Sequence, residues 1–270
     1  MAKTSIVTNP LIESRASDAR RVTAELDHVT IRYTRNDGKP VVALNDVSLQ
    51  LYEGEFLVLV GASGSGKTTA LNVMAGLADA TSGSASVLKL PPAKARDQLG
   101  YMFARDALLP WRTALQNIEF GMELRGLMSA ERRKQAENLL DVVKLGHLQG
   151  NYPTQLSQGQ RQRVALARTW ALSPKILLMD EPFSALDAQT REDLQSEFLR
   201  MWSRDRKSIV FVTHDLIEAV TMADRIVVFS NGSIAQEFVV PLERPRDILA
   251  ITEHPEAKRI YKTIRELMHH

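Results

Sequence analysis

The 270-residue sequence contains no cysteine, which excludes a disulfide framework and any thiolate metal site. It has no run of 18 apolar residues, so no segment is expected to cross a membrane as a helix. An excess of one charge is missing too. Lys and Arg number 34 against 32 Asp and Glu, and a net +2 is too near neutral to argue for nucleic acid or an anionic membrane; no nucleic-acid partner is expected. The N-terminal stretch 1–21 lacks an apolar core and reads as a loosely attached polar tail, not a secretory signal. Internal repeats and low-complexity segments are absent. These gaps favour a protein of the cell interior. What remains is globular, with 44% apolar and 24% charged residues over a length suited to one large domain or a domain with a sub-lobe.

The chain is organised around Gly61-Ala62-Ser63-Gly64-Ser65-Gly66-Lys67-Thr68, a match to G-x-x-x-x-G-K-[ST]. The context agrees. Phe56 to Val60 is a continuous apolar run of the kind a buried parallel strand shows, and Thr68 to Ala78 places Leu71, Met74, Ala75 and Ala78 at helical spacing. Glycines let backbone N–H groups turn inward on an anion, and a helix starting at Lys67 adds the positive end of its dipole. The pattern assigns Gly61 to Thr68, with the adjoining Thr69, to a nucleotide phosphate chain. Lys67 reaches the β- and γ-phosphates, and the Thr68 hydroxyl holds Mg²⁺.

Ahead of this loop, Ala24–Thr34 and Val41–Tyr52 read as strands around a turn at Asn36–Pro40. After it, Thr81–Ser84 reads as a turn, Ala85–Leu90 as a strand and Leu99–Ala104 as a short apolar segment. Asp106–Trp111 follows, an apolar loop that is either buried core or a docking surface. Helices are expected at Thr113–Leu127, at Ser129–Leu145 with Ser129 as N-cap, and at Arg161–Leu172, whose Arg161, Arg163 and Arg168 read as a solvated basic face. Strand Lys175–Met179, helix Ala188–Arg204, strand Ser208–Val212, helix Asp215–Ala223 and strand Arg225–Phe229 complete a β/α alternation. Asn231-Gly232 then turns an antiparallel edge strand, Ser233–Val240. From about Arg246 the chain reads as helical and charged.

A second constellation follows from the first. Asp180 lies at the carboxyl end of an apolar strand, where open α/β sheets bind ligands, and can hold the Mg²⁺ that Thr68 touches. Glu181 is placed beside a γ-phosphate, as a general base toward water. The competing reading is a helix N-cap, which Pro182 would suit. His214 ends another strand on the same edge and is either structural or a donor to the γ-phosphate. Tyr33 alone is one more half-buried strand aromatic.

Together these residues resemble the ATP-binding cassette (ABC) ATPases, over about residues 24–240. Gly61–Thr68 matches the Walker A loop. Leu156-Ser157-Gln158-Gly159-Gln160 is similar to the LSGGQ signature, with Gln158 where the third residue is usually glycine. Ile176–Glu181 resembles Walker B with its catalytic glutamate, Ser184-Ala185-Leu186-Asp187 the D-loop, and His214 the switch histidine. The resemblance implies that Tyr33 stacks on adenine. It also implies that Ser157, Gln158, Gly159 and Gln160 act in trans on a nucleotide bound to a second copy in a head-to-tail homodimer. The implied fold is a P-loop NTPase (RecA-like) core with a mainly parallel sheet. An antiparallel N-terminal β region and an inserted α-helical sub-lobe complete it. The implied layout is a tail at 1–21, an ATPase domain at 22–240 with the sub-lobe at about 105–165, and a helical extension at 241–270.

The family usually has a glutamine at the end of the strand entering the sub-lobe; Ala104 stands there, so one Mg²⁺ contact is lost. The loop Ala107–Thr113 resembles that of importers of nitrate, sulfonates and taurine. This implies ATP and Mg²⁺ as cofactors, membrane permease subunits as partners, a substrate-binding protein as an indirect one, and a peripheral place on the cytoplasmic face. Two alternatives are a non-transport cassette that clamps a macromolecule and a small-molecule kinase. The first usually carries two cassettes or a long coiled coil; the second has no use for Leu156–Gln160.

Overall fold

The computed structural model describes residues 20–34, 38–246 and 248–268. Most of the expected tail, and Asn36 and Asp37 of the expected turn, lie outside them. A six-stranded sheet ordered β5-β6-β7-β3-β8-β9 forms the centre. Its strands are β3 (Phe56–Gly61), β5 (Leu99–Met102), β6 (Ile176–Asp180), β7 (Ser208–Val212), β8 (Arg225–Ser230) and β9 (Ser233–Val239). All neighbours pair parallel except β8 with β9.

Alternate residues of each central strand feed different cores, which is why these strands read as unbroken apolar runs. Phe56, Val58 and Val60 point into one cluster, Leu57 and Leu59 into the other. Leu177 and Met179 share the first; Ile176 and Leu178 share the second. The second core is closed by helix α1 (Lys67–Met74) and by a three-stranded antiparallel sheet of β1 (Val22–Thr34), β2 (Pro40–Tyr52) and β4 (Ser82–Val87), with β1 in the middle. Helices α2 (Ala114–Leu124), α3 (Ser129–Val142), α4 (Gln158–Ala171), α5 (Ala188–Arg204) and α6 (Leu216–Met222) contribute to the first. So does α8 (Pro255–Met268), which follows the short α7 (Ile248–Glu253).

Several expectations are corrected. Helix α1 stops at Met74 rather than Ala78, because Gly76 takes φ +65° and its N–H and that of Leu77 close back on Val73 and Asn72. That is a Schellman end. Ser82 and Ser84 are not in a turn but pair with Thr30 and Asp27 in β4. That strand ends at Val87, since Leu88 and Lys89 both adopt left-handed φ in a tight turn. Ser129 is not an N-cap: Met128 holds that place without a side-chain bond, and Ser129 lies inside α3. Helix α4 starts at Gln158, not Arg161, because Ser157 and Gln160 form a capping box. The 165 boundary of the sub-lobe therefore falls within α4. Its arginines are not a solvated face: Arg161 pairs with Asp106, Arg163 with Glu197, and Arg168 donates to the carbonyls of Asp106 and Ala107.

Candidate active site

The phosphate loop joins β3 to α1 at the carboxyl edge of the parallel sheet. Gly66 needs to be glycine twice over: its φ is +106°, and a Cβ there would meet the Ala43 carbonyl of β2 at 2.7 Å. The loop thus rests on the antiparallel sheet while Ala62, Ser63 and Gly64 stay exposed and Thr69 is half-buried. Lys67 is 5% exposed, and its Nζ donates to the Gly61 and Ala62 carbonyls, each at 2.8 Å. Burial lowers its pKa, against the raising effect of Glu181 and Asp180. The ammonium is therefore held inside the loop by neutral acceptors that a phosphate oxygen can replace.

Asp180 closes β6 on the face that α1 covers. The Thr68 hydroxyl donates to its Oδ1 at 3.0 Å. Burial raises the Asp180 pKa first, the Thr68 bond opposes this, and Glu181 adds to it. A desolvated carboxylate beside a hydroxyl is a hard-oxygen donor pair that suits Mg²⁺, which completes its shell with substrate phosphates and water. Among the described residues no group of three or more His, Asp or Glu is placed to hold a metal ion by itself.

Glu181 sits in the left-handed region at φ +47°. That is a strained setting for a glutamate, and its neighbours over-determine it. Its N–H donates to the Val212 carbonyl of β7 at 3.0 Å, and its carbonyl accepts from the Ser184 N–H and Oγ. The kink turns the side chain to His214, whose Nδ1 lies 3.1 Å from Glu181 Oε2. Because β6 and β7 are parallel with Asp180 opposite Val212, Asp180, Glu181 and His214 share one edge. The alternative that the acidic pair caps a helix is excluded, since the next helix, α5, is capped by Asp187.

Tyr33 is 50% exposed at the far end of β1 and pairs with Val41, two residues from the Ala43 that supports Gly66. It is thus more open than a half-buried core aromatic. Ser184 and Ala185 are exposed, Leu186 is buried, and Asp187 accepts from the Thr190 N–H, which holds its carboxyl below the usual range. Ser157 and Gln158 are exposed at the start of α4, with Gly159 and Gln160 half-buried. Among the described residues the hydrogen bonds of Ser157 and Gln160 close on each other, and none reaches loop 61–68. The signature and the phosphate loop of one chain are not brought together.

Sequence reasoning missed the side chains that tie these parts to one another. Tyr101 donates to Asn72 of α1 at 2.9 Å, and burial, helped by the charge of Asp180, raises its phenol pKa. Arg191 donates to the Leu186 carbonyl and pairs with Asp215, joining the stretch before α5 to the residue after His214. Neither link carried a signal, because Asn72 and Asp215 lie 29 and 24 positions from the side chains that reach them.

The ABC transporter family profile matches residues 44–184, which contain the loop, the signature and the Asp180–Glu181 pair. The chain belongs to the ABC transporter family. An uncharacterised ABC transporter ATP-binding protein of Methanocaldococcus jannaschii is 41% identical over 94% of this chain and 96% of its own length. A taurine import ATP-binding protein of Mesorhizobium japonicum is 44% identical over 77% of this chain and 79% of its own length. A nitrate import ATP-binding protein of Synechocystis is 43% identical over 84% and 83%. Among solved structures, a dimeric post-hydrolysis ATP-binding cassette bound to ADP and Pi covers 82% of this chain and all of its own, at 34% identity and TM-score 0.74. This ABC protein therefore binds ATP and is an ATPase, built on the P-loop core with its parallel sheet and antiparallel N-terminal region. Among its described residues no helix is long and apolar enough to cross a membrane.

Proposed function

We propose that this ABC ATPase powers import of a small solute of the nitrate, sulfonate or taurine type through separate permease subunits, from the cytoplasmic face of the membrane. The names of its relatives support the solute class and the direction. The observation that carries the catalytic reading is the shared edge: the Thr68–Asp180 pair and the Glu181–His214 pair flank the loop that holds Lys67.

In this reading Gly61 to Thr69 wrap the phosphates with backbone N–H groups, Lys67 exchanges its two loop carbonyls for β- and γ-phosphate oxygens, and Tyr33 stacks on adenine. Thr68 and Asp180 supply the protein's oxygen ligands for Mg²⁺, which when bound neutralises phosphate charge. Glu181 orients water and takes its proton, while His214 holds the Glu181 carboxylate in place and faces the γ-phosphate. The Ser157 and Gln160 side chains bond to each other and not to their own phosphate loop, which supports Ser157 to Gln160 acting on the nucleotide of a second copy, with Ser184 to Asp187 at that seam. A dimeric relative supports this arrangement.

The test is Glu181→Gln. It keeps the side chain's shape and removes the base, so ATP binding should persist, turnover should fall at least a hundredfold, and Mg-ATP should trap a dimer measurable by mass. Wild-type turnover in this variant removes Glu181 from the chemistry.

A further inference from the structure

One guanidinium touches both the loop that leaves the chain's own catalytic edge and the turn that carries the signature. Strand β5 ends at Met102, paired with Met179 of β6, the neighbour of Asp180. The chain then crosses to the helical region through Phe103 to Ala107. Within that crossing the Asp106 carboxylate accepts from Arg161 Nε at 2.9 Å, while Arg161 Nη1 donates to the Leu156 carbonyl at 2.8 Å. Leu156 is buried and immediately precedes Ser157, the N-cap of α4. Farther along α4, Arg168 clamps the same crossing by its backbone, donating to the Asp106 and Ala107 carbonyls, each at 2.9 Å.

We infer that Arg161 is a positioning residue that passes the state of a nucleotide bound to this chain, through Asp106, to the signature turn that the same chain offers to its partner. The inference rests on the reading that Ser157 acts in trans. Arg161 and Asp106 side chains are only 31% and 26% exposed, so the pair is screened less than a surface ion pair. The planar fork matters as much as the charge. Two N–H groups of one rigid plane hold two separate segments, so a shift of Asp106 must either turn Leu156 with it or break a bond. A lysine at the same place offers a point charge and cannot span both acceptors in fixed geometry.

The experiment uses the full chain in a Glu181→Gln background, with ATP-driven dimerisation read by mass, and in the parent background, with steady-state ATPase. Variants are Arg161→Ala, Arg161→Lys, Asp106→Asn and the double variant Arg161→Ala/Asp106→Asn. Nucleotide affinity of the monomer should stay within about twofold. The ATP concentration needed for dimerisation should rise about tenfold or more, and kcat should fall about tenfold with KM for ATP little changed. The double variant should be no worse than the worse single one, as residues of one pair are not additive. Arg161→Lys should recover only part of the loss. Asp106→Asn, which deletes a charge and keeps the shape, serves if Arg161→Ala folds poorly. If the Glu181→Gln parent dimerises and the variants match it in dimerisation and kcat, the positioning role is wrong. A parent that stays monomeric with Mg-ATP overturns the trans reading, and this inference with it.

Discussion

At the scale of single residues, two variants separate a chain's own site from the one it is proposed to complete on a second copy. Lys67 is buried in its own loop and bonded to loop carbonyls, so Lys67→Ala should weaken nucleotide binding to the isolated chain by tenfold or more. A charge-assisted bond of this kind typically contributes ~1.5–3 kcal/mol. Ser157 is exposed and its side chain bonds only within its capping box, so Ser157→Arg should leave that binding near normal while abolishing hydrolysis by blocking closure. Titrating a fluorescent ATP analogue alongside ATPase assays distinguishes them. Equal loss of binding in both would mean that Ser157 serves its own chain's nucleotide. The positions of the loop and of Asp180 were legible in the sequence because each motif is local: a glycine spacing, a carboxylate ending an apolar run. Arg161 and Arg191 were not legible. Their partners Asp106 and Asp215 lie 55 and 24 positions away, and no periodicity reports a contact of that kind.

At the scale of elements, strands and long amphipathic helices were readable. The helix α5 and strand β7 boundaries match the expected ones, since core packing imposes helical spacing on the helix and the two cores impose a continuous apolar run on the strand. Ends were less readable, because they are decided by a few bonds that compete with the pattern. Ser157 with Gln160 pulled the start of α4 forward, and the Gly76 turn cut α1 short. The short helix α6 shows how such an end can bear on chemistry. Asp215 caps it through the N–H groups of Ile217 and Glu218, directly after His214. Glu218 on α6 is buried and accepts from Gln195 of α5 at 2.8 Å. Burial pushes its carboxyl up to about 7, opposed by bonds from Thr213 and Gln195 and by Arg191, and reinforced by Asp215. The folded pKa is raised, so the fold prefers the protonated acid. The stability that this gives is complete below about pH 4.5 and is lost as pH rises through about 7. Glu218→Gln keeps a hydrogen-bonding side chain without the charge. It should raise stability at pH 8 by up to on the order of 3 kcal/mol. It should also flatten the pH dependence of the melting midpoint between those values. Parallel profiles for the two proteins across that window would show that Glu218 is ionised in the fold without penalty.

At the scale of the molecule, the architecture presents its proposed catalytic edge and a half-anchored loop as separate surfaces. The sequence left Asp106–Trp111 open between core and docking surface, and the structure divides it. Leu108 is buried, while Trp111 is 70% exposed. The loop is held in shape from beneath by Asn117, fully buried on α2, which accepts from the Leu109 N–H at 2.8 Å and donates to the Leu109 and Arg112 carbonyls. An exposed indole on a rigid loop loses little entropy on binding, and truncating such an aromatic anchor typically costs ~2 kcal/mol or more. With a permease as the partner, Trp111→Ala should lower affinity for it at least about thirtyfold while sparing ATP binding. Ala104 belongs to the same experiment, since it stands between the catalytic edge and this loop. With Thr68 and Asp180, bonded to each other here, as the proposed oxygen ligands for the metal, the isolated chain should hydrolyse ATP, and Ala104→Gln should change its turnover only modestly. A larger change is expected once the permease is bound, because Asp106 in the segment Phe103–Ala107 is pinned to α4 by Arg161 and Arg168, so a shift of the helical region would carry the segment with it. Reconstituting each variant with the permease, and measuring co-purification and ATPase with and without loaded binding protein, separates the two effects. Normal assembly and coupling by Trp111→Ala would make the indole a surface residue without a docking role. An Ala104→Gln effect no larger in the complex than in the isolated chain would confine that position to the nucleotide site.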